Sequence, residues 1–196
     1  EQGFGFETRV SMWDLDSKQK KFELDLPNKF LAQDAVVDKD WKLVYVGGKY
    51  ITNSKDKNII AYSATDGNRE KRLRNTSTDV KKLYISRTGH ELLEVGAKIQ
   101  VWDLPSFDLL RSLPNNGVMG DFLPKKKLLL YGGGRTLYLY SMRTRKVVQE
   151  YEYGQTLTSA SLSPEGNYIL GADYDGNLVF KDRASGQTIP RFRSAQ

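Results

Sequence analysis

The chain has 196 residues, of which 39% are hydrophobic and 28% charged, a balance typical of a globular protein. It contains no cysteine, which excludes disulfides, thiol catalysis and thiolate metal sites but leaves the compartment open. No apolar run approaches the roughly 20 residues of a membrane-spanning helix. The formal net charge of +6 favours acidic partners, namely nucleic acid, anionic lipid or an acidic protein surface.

Short alternating strands, separated by clusters of Gly, Asn, Asp and Pro, predict an all-β fold built from four-stranded antiparallel units. Residues 1–28 supply only the second, third and fourth strands of a unit: FGFE, RVSMWDL and KKFELDL. Complete units are predicted in turn over residues 29–77, 78–116, 117–154 and 155–196. The last of these is the clearest and ends in the predicted fourth strand QTIPRFR.

One short pattern, an apolar stretch that leads through one residue into a turn, recurs in every unit. The five stretches are VSMWDLDS, IIAYSATDG, IQVWDLPS, LYLYSMRT and LVFKDRASG, aligned on Trp13, Tyr62, Trp102, Tyr140 and Lys181. Their spacing of about 40 residues is the period of a four-stranded propeller blade. We therefore predict one continuous β-propeller unit of four complete blades and one partial blade. Because the first blade lacks its inner strand, we expect a larger ring, completed by further sequence or by another chain.

Two of these blades resemble the repeats of the WD-repeat propeller family. SPEGNYILGADYDGNLVFKD is similar to that family's strand–turn–strand core, and SRTGHELLEVGAKIQVWDL matches it more loosely. The Trp-Asp ending stands at Trp13–Asp14 and Trp102–Asp103, whereas Gly89–His90 lies in a different turn from the family's Gly-His pair. The hydrogen-bonded tetrad of typical repeats therefore cannot form here. VYVGG followed by NIIAYSATDG also resembles the repeats of bacterial quinoprotein-like and surface-layer-type propellers. The WD resemblance implies a non-catalytic scaffold for protein partners.

No residue is predicted to be catalytic, to bind a cofactor or to ligate a metal. His90, the only histidine, is expected in a water-facing turn and not in a catalytic triad. Asp173–Asn177 resembles the start of a calcium loop, but an Asp-Gly hairpin explains it without metal. Gly132–Arg135 falls where a second strand turns into a third, so a hairpin is expected instead of a phosphate cradle. A quinoprotein-like enzyme is the less favoured alternative, since two tryptophans close third strands and Trp41 begins a second strand.

Partner binding is predicted at the loops, and two faces compete. Turns after first and third strands share one face, whose basic residues are Lys39, Arg87, Lys125, Lys126, Lys127, Arg143 and Arg145. These turns suit an acidic surface or nucleic acid, although charged turns also keep a repeat protein soluble. The opposite face gathers the loops Lys49–Lys57, Asn75–Thr78, Pro114–Gly117 and Asp173–Asn177, with Tyr50 and Tyr174 as candidate anchors. Basic residues on an outermost strand are expected to be structural: Arg69, Lys71, Arg72 and Arg74.

Overall fold

The computed structural model describes residues 8–51, 58–74, 76–113 and 119–190, and every regular element within them is a β-strand. The strands form five antiparallel sheets of two to four strands, which confirms the predicted all-β fold of propeller-type blades. The chain divides into two compact units, Glu1–Pro114 and Asn115–Gln196. Nowhere in the described ranges is there a helix with the length and apolarity needed to cross a membrane.

The first unit holds three sheets, each of which adds its strands in chain order. The first sheet contains β1 (Ser11–Asp14) and β2 (Gln19–Glu23). The second sheet contains β3 (Phe30–Val37), β4 (Leu43–Tyr50), β5 (Ile59–Ser63) and β6 (Arg69–Arg72). The third sheet contains β7 (Val80–Ile85), β8 (Glu91–Gly96), β9 (Ile99–Asp103) and β10 (Leu109–Ser112). The predicted strand FGFE lies outside the described residues.

Much of the core of the first unit lies between its second and third sheets, whose own second and third strands are covered on both faces. The strands β4, β5, β8 and β9 are accordingly almost continuously apolar rather than alternating. Tyr45, Leu92 and Trp102 pack between the second and third sheets. The approach is close, since a Cβ at Gly47 would stand 2.6 Å from a side-chain methyl of Val80. Glycine at this position therefore sets the spacing between the two sheets.

The second unit repeats the plan with two sheets. The fourth sheet contains β11 (Met119–Leu123), β12 (Leu128–Gly133), β13 (Thr136–Ser141) and β14 (Lys146–Glu152). The fifth sheet contains β15 (Leu157–Leu162), β16 (Tyr168–Asp173) and β17 (Leu178–Asp182). The predicted strand QTIPRFR is present in its described part as a single bridge from Thr188 to Lys181, and residues 191–196 lie outside the described ranges. Leu139, Tyr151 and Ile169 are central to the core of this unit.

Candidate partner-binding surface

The recurring sequence pattern corresponds to one turn, built the same way after β1 of the first sheet and after the third strand of each of the other four sheets. The last strand residue is Asp or Ser, and its side-chain oxygen accepts a hydrogen bond from the main-chain N–H three residues later. The pairs are Asp14 with Ser17, Ser63 with Asp66, Asp103 with Ser106, Ser141 with Thr144, and Asp182 with Ser185, at 2.8 to 3.4 Å. The residue after the aligned position thus closes the turn and holds its backbone rigid.

The hydrogen bonds also act on the acidity of the capping carboxylates. The Ser17 main-chain N–H and hydroxyl, with Lys21 nearby, lower the pKa of Asp14 to about 2. Hydrogen bonds from Ser106 lower the pKa of Asp103, and those from Ser185 lower the pKa of Asp182. The charged carboxylate is therefore the form that holds these turns closed.

Each of these turns ends in a residue with a left-handed backbone. The residues are Lys18, Gly67, Phe107, Arg145 and Gly186, with φ between 57° and 77°. Glycine adopts this conformation freely, whereas other residues lose about 1 kcal/mol or more there. Lys18, Phe107 and Arg145 therefore keep their side chains at positions where glycine would be more favourable.

Lys39, one of the predicted basic residues of the first unit, lies among carboxylates. Lys39 and Arg87 are exposed in the turns after β3 and β7. A cleft of about 360 Å³ brings Lys39 together with Asp38, Asp40 and His90. The local charge at this end is therefore mixed, and the structure does not gather Lys39 and Arg87 into a purely basic site.

The basic turns of the second unit lie side by side. The turn holding Lys125, Lys126 and Lys127 follows β11, and the turn holding Arg143 and Arg145 follows β13. The two turns are joined directly, since the main-chain N–H of Met142 donates to the carbonyl of Lys127 at 2.8 Å. All five basic side chains are exposed. The structure thus brings together these five of the seven predicted basic residues.

The fifth sheet extends this cationic surface. A Cβ at Gly166, in the turn after β15, would stand 3.6 Å from Cδ of Lys126. The Arg183 Nε donates to the carbonyl of Gly166, and the Tyr151 hydroxyl donates to the carbonyl of Arg183 at 2.8 Å. We call this surface the basic end, and its cations are Lys125, Lys126, Lys127, Arg143, Arg145, Lys146 and Arg183.

The candidate anchors on the opposite loops have different surroundings. Tyr174 is 80% exposed in the turn after β16. Tyr50 was predicted in a loop, but it is the last residue of β4 and is half-buried, with its ring centroid 5.1 Å from that of Phe30. It lies in the strand because β4 pairs with β3 as far as the Phe30–Tyr50 register. Residues 52–57, Asn75 and residues 114–117 of these loops lie outside the described ranges.

The other candidate sites are turns. His90 is exposed in the turn before β8. Gly132 and Gly133 end β12, and Gly134 forms the hairpin with φ 63°. Asp173 accepts hydrogen bonds from the main-chain N–H groups of Asp175 and Asn177 at 3.0 and 2.9 Å, so its carboxylate is engaged within the hairpin. No group of three or more His, Cys, Asp or Glu side chains in the described ranges is placed to hold a metal.

Two features of the first unit were not predicted. Trp41 does not begin a strand: it lies in the turn before β4 with φ 56°, two residues after Lys39, and is 68% exposed. Glu94 is fully buried in β8 and accepts hydrogen bonds from the Ser77 main-chain N–H at 2.6 Å and from the Trp102 indole N–H at 3.0 Å. The second glutamate of ELLEVG, which has apolar residues on both sides, was the signal for this buried network.

The blade-type sheets and their repeated capped turns fit a WD-repeat-like β-propeller. The chain is similar to serine-threonine kinase receptor-associated protein of rat and mouse, at 22% identity over 147 residues, or 73% of this chain and 42% of each relative. The chicken protein of that name is 22% identical over 190 residues, covering 94% of this chain and 51% of the relative. The chain therefore spans about half the length of these relatives. No family model matches it.

Proposed function

We propose that this chain is a non-catalytic scaffold of the WD-repeat-like type, which binds protein partners through the turns at the ends of its sheets. The observation that carries the proposal is the repeated capped turn, which holds exposed side chains on a rigid backbone. A surface ordered in advance loses little conformational entropy when a partner binds. Loops on such scaffolds are the usual place of binding residues.

The distant relatives support the same general role. Their name describes association with a serine-threonine kinase receptor, which is an interaction between proteins. At 22% identity this similarity supports scaffolding in general and names no partner for the present chain. The partner-binding residues are therefore proposed from the geometry alone.

Two surfaces are the proposed contact sites. The first is the basic end of the second unit. The second is the end of the first unit around Trp41 and Lys39, where an exposed aromatic side chain projects beside a mixed-charge cleft. Aromatic and arginine side chains supply much of the binding energy in protein interfaces.

A capture experiment with matched variants tests the proposal. The purified chain is immobilised, and proteins crosslinked to it from an extract are quantified by mass spectrometry. Two site variants are compared with wild type: Lys125→Ala/Lys126→Ala/Arg143→Ala, and Trp41→Ala. The control is Arg69→Ala/Arg74→Ala/Lys82→Ala, which removes the same charge from exposed positions elsewhere.

We expect defined proteins to be retained by wild type and by the control, and to be lost with at least one site variant. A set of proteins bound equally by all variants, or no enrichment over an unrelated bait, would contradict the proposal.

Binding of nucleic acid or another anionic surface is a second candidate function, favoured by the grouping of cations at the basic end. Affinity for a polyphosphate falls steeply with ionic strength because counterions are released on binding. Retention on DNA or heparin at low salt that disappears with Lys125→Ala/Lys126→Ala/Lys127→Ala would favour it. No retention at low salt would end it.

A further inference from the structure

We infer that the basic end binds an acidic, extended peptide segment of a partner protein, an inference that rests on the scaffold function proposed above. The peptide would present a row of side-chain carboxylates that contact the cations of two adjacent turns. Three features of this end support the inference: its charge balance, the rigidity of its turns and the kinds of side chain exposed there.

The charge at the basic end is not balanced locally. Its described carboxylates are Glu165 and Asp182, and Asp182 is engaged in its own turn by the N–H and hydroxyl of Ser185. Among the described residues, no salt bridge involves a cation of the basic end.

Three lysines of the first unit, in contrast, are paired with carboxylates. Carboxylates lie 3.1 Å from Lys20, 3.2 Å from Lys21 and 2.9 Å from Lys81. The basic end therefore has an excess of positive charge that an external anionic group could neutralise.

Hydrogen bonds hold the two central turns in place. The Arg145 N–H donates to the Ser141 carbonyl at 2.7 Å, and the Thr144 N–H donates to the Ser141 hydroxyl at 3.1 Å. Met142 ties this turn to the carbonyl of Lys127. A partner segment would therefore meet cations whose backbone is already ordered.

Two of these cations occupy unfavourable backbone conformations. Lys127 has φ 55° and Arg145 has φ 58°. The position of Arg145 is filled by glycine in the second and fifth sheets, at Gly67 and Gly186. Backbone conformations of this kind concentrate at functional sites, where the side chain is retained despite its conformational cost. Binding of an anionic group is a reason to keep these basic side chains.

The spacing of the turns suits one extended peptide. One turn joins β11 to β12 and the other joins β13 to β14, so the middles of the two turns are two strand spacings, or about 10 Å, apart. In an extended peptide, side chains two and four residues apart lie on one face at about 6.6 and 13 Å, which are multiples of the rise per residue. Acidic residues at alternate positions therefore bracket the spacing between the Lys125–Lys127 turn and the Arg143–Arg145 turn. Arginine binds a carboxylate with two parallel hydrogen bonds, which adds directional preference.

The exposed side chains favour a peptide over nucleic acid. Proteins that bind single strands stack successive bases on several aromatic side chains. The described residues in the four turns of the basic end include no aromatic residue, and the exposed ring beside them is that of Tyr168, the first residue of β16. Glu165 also lies within this end, where it would repel a continuous phosphate backbone. A short peptide with separated carboxylates can avoid this position.

Fluorescence anisotropy of labelled ten-residue peptides tests the inference with the full chain. The probes are an alternating Glu-Ser peptide, the matched Gln-Ser peptide and a ten-nucleotide oligothymidine. Lys125→Ala/Lys126→Ala/Arg143→Ala is compared with the control Arg69→Ala/Arg74→Ala/Lys82→Ala. Thermal melts verify that both variants are folded. Arg143→Lys/Arg145→Lys keeps the charge but removes the paired hydrogen bonds of arginine.

We expect the Glu-Ser peptide to bind, the Gln-Ser peptide not to bind, and the basic-end variant to weaken binding by about tenfold or more, as loss of charge-assisted hydrogen bonds implies. The control should bind like wild type, and Arg143→Lys/Arg145→Lys should bind at an intermediate level. Absence of Glu-Ser binding, equal loss in the control, or tighter binding of the oligonucleotide would overturn the inference. If the acidic peptide does not bind but the capture experiment still retains partner proteins, only the acidic ligand is refuted. If the peptide binds but no partner protein is captured, the scaffold function is refuted.

Discussion

The Oδ2 atom of Asp34 accepts a hydrogen bond of 2.8 Å from the main-chain N–H of Leu83, and this bond joins the inner strands of two neighbouring sheets. Asp34 lies in β3 and Leu83 in β7, each at the edge of its own sheet. The second unit has a comparable bond of 2.7 Å, from the Leu162 N–H to Oδ2 of Asp121. An edge strand leaves alternate N–H groups without a partner in the sheet, so a carboxylate from the adjacent sheet satisfies one of them.

Removal of this bridge should destabilise the first unit. We expect Asp34→Ala to lower the free energy of unfolding by about 1.5–3 kcal/mol, the usual contribution of a hydrogen bond to a charged group. Asp34→Asn keeps an acceptor oxygen and should cost less. Urea unfolding measures both, and Asp40→Ala, in an exposed turn, is the control. Equal stability of Asp34→Ala and Asp40→Ala would show that the bridge contributes nothing.

The buried Glu94 carboxylate predicts a pH dependence of stability. Burial raises the pKa of Glu94 above its ordinary value of 4.5, while hydrogen bonds from Ser77 and Trp102 act in the opposite direction. The folded state therefore binds the proton more tightly than the unfolded state, and this group stabilises the fold more as pH falls from neutral toward 4.5. We expect the melting temperature of wild type, measured relative to that of Glu94→Gln at the same pH, to increase as the pH is lowered from 7 to 5.

A second variant sharpens the Glu94 test. Trp102→Phe removes a hydrogen bond that lowers the pKa of Glu94, so the pKa of Glu94 in the folded protein should rise further. The melting temperature of Trp102→Phe, relative to that of Trp102→Phe/Glu94→Gln, should therefore increase more between pH 7 and pH 5 than it does in the wild-type background. A wild-type and Glu94→Gln pair with parallel pH profiles would contradict the assignment.

The tryptophans of the two Trp-Asp motifs should differ strongly in their contribution to the free energy of unfolding. Trp102 is 2% exposed and hydrogen-bonded to Glu94, whereas Trp13 is 57% exposed. We expect Trp102→Ala to cost about 3–5 kcal/mol, as large-to-small substitutions of buried aromatic residues do. Trp13→Ala should cost less than about 1 kcal/mol, since the ring is largely outside the core. Guanidinium unfolding of both variants decides this, and equal losses would show that the two positions are equally buried in solution.

Substitutions at the same turn position of two sheets should change the stability of the protein in opposite directions. Gly186 has φ 70°, and a Cβ there would meet its nearest atoms at 3.8 Å, without steric conflict. Gly186→Ala should therefore cost about 1 kcal/mol through backbone conformation alone. Arg145→Gly should raise stability by up to about 1 kcal/mol, because its φ of 58° favours glycine. Denaturant midpoints measure both, and a destabilised Arg145→Gly would indicate that the arginine side chain contributes to the fold.

The capped turns predict acid sensitivity. The pKa of Asp14 is about 2 in the folded protein, below its ordinary value of 3.8. The folded state therefore binds the proton more weakly, so the contribution of this group is complete above pH 4 and is lost as pH falls through about 2. The difference in stability between wild type and Asp14→Ala should shrink across this interval. A carboxyl titration of Asp14 by NMR with an ordinary midpoint would contradict the prediction.

Much of the secondary structure could be predicted because its signals are local. Short apolar runs and turn-forming residues such as Asp-Gly depend on neighbours in the chain, and the strands from β3 to β17 follow these signals closely. The partner-binding residues were harder to predict. Asp38 and Asp40 flank Lys39 in the sequence and share its cleft, so the mixed charge there could be predicted locally. The approach of Lys126 to Gly166 of the adjacent sheet could not, because it depends on which turns become neighbours when the sheets pack.

The sequence by itself determined that this is a repeat protein of short antiparallel strands, because a period of about 40 residues and the turn-forming residues are properties of the chain. Tertiary structure decided what the repeated positions do. Trp13 and Trp102 follow one pattern, but only Trp102 is covered by a neighbouring sheet and bonded to a buried carboxylate. Burial and charge balance depend on atoms that are distant in sequence, so equal motifs acquire different roles once the sheets have packed.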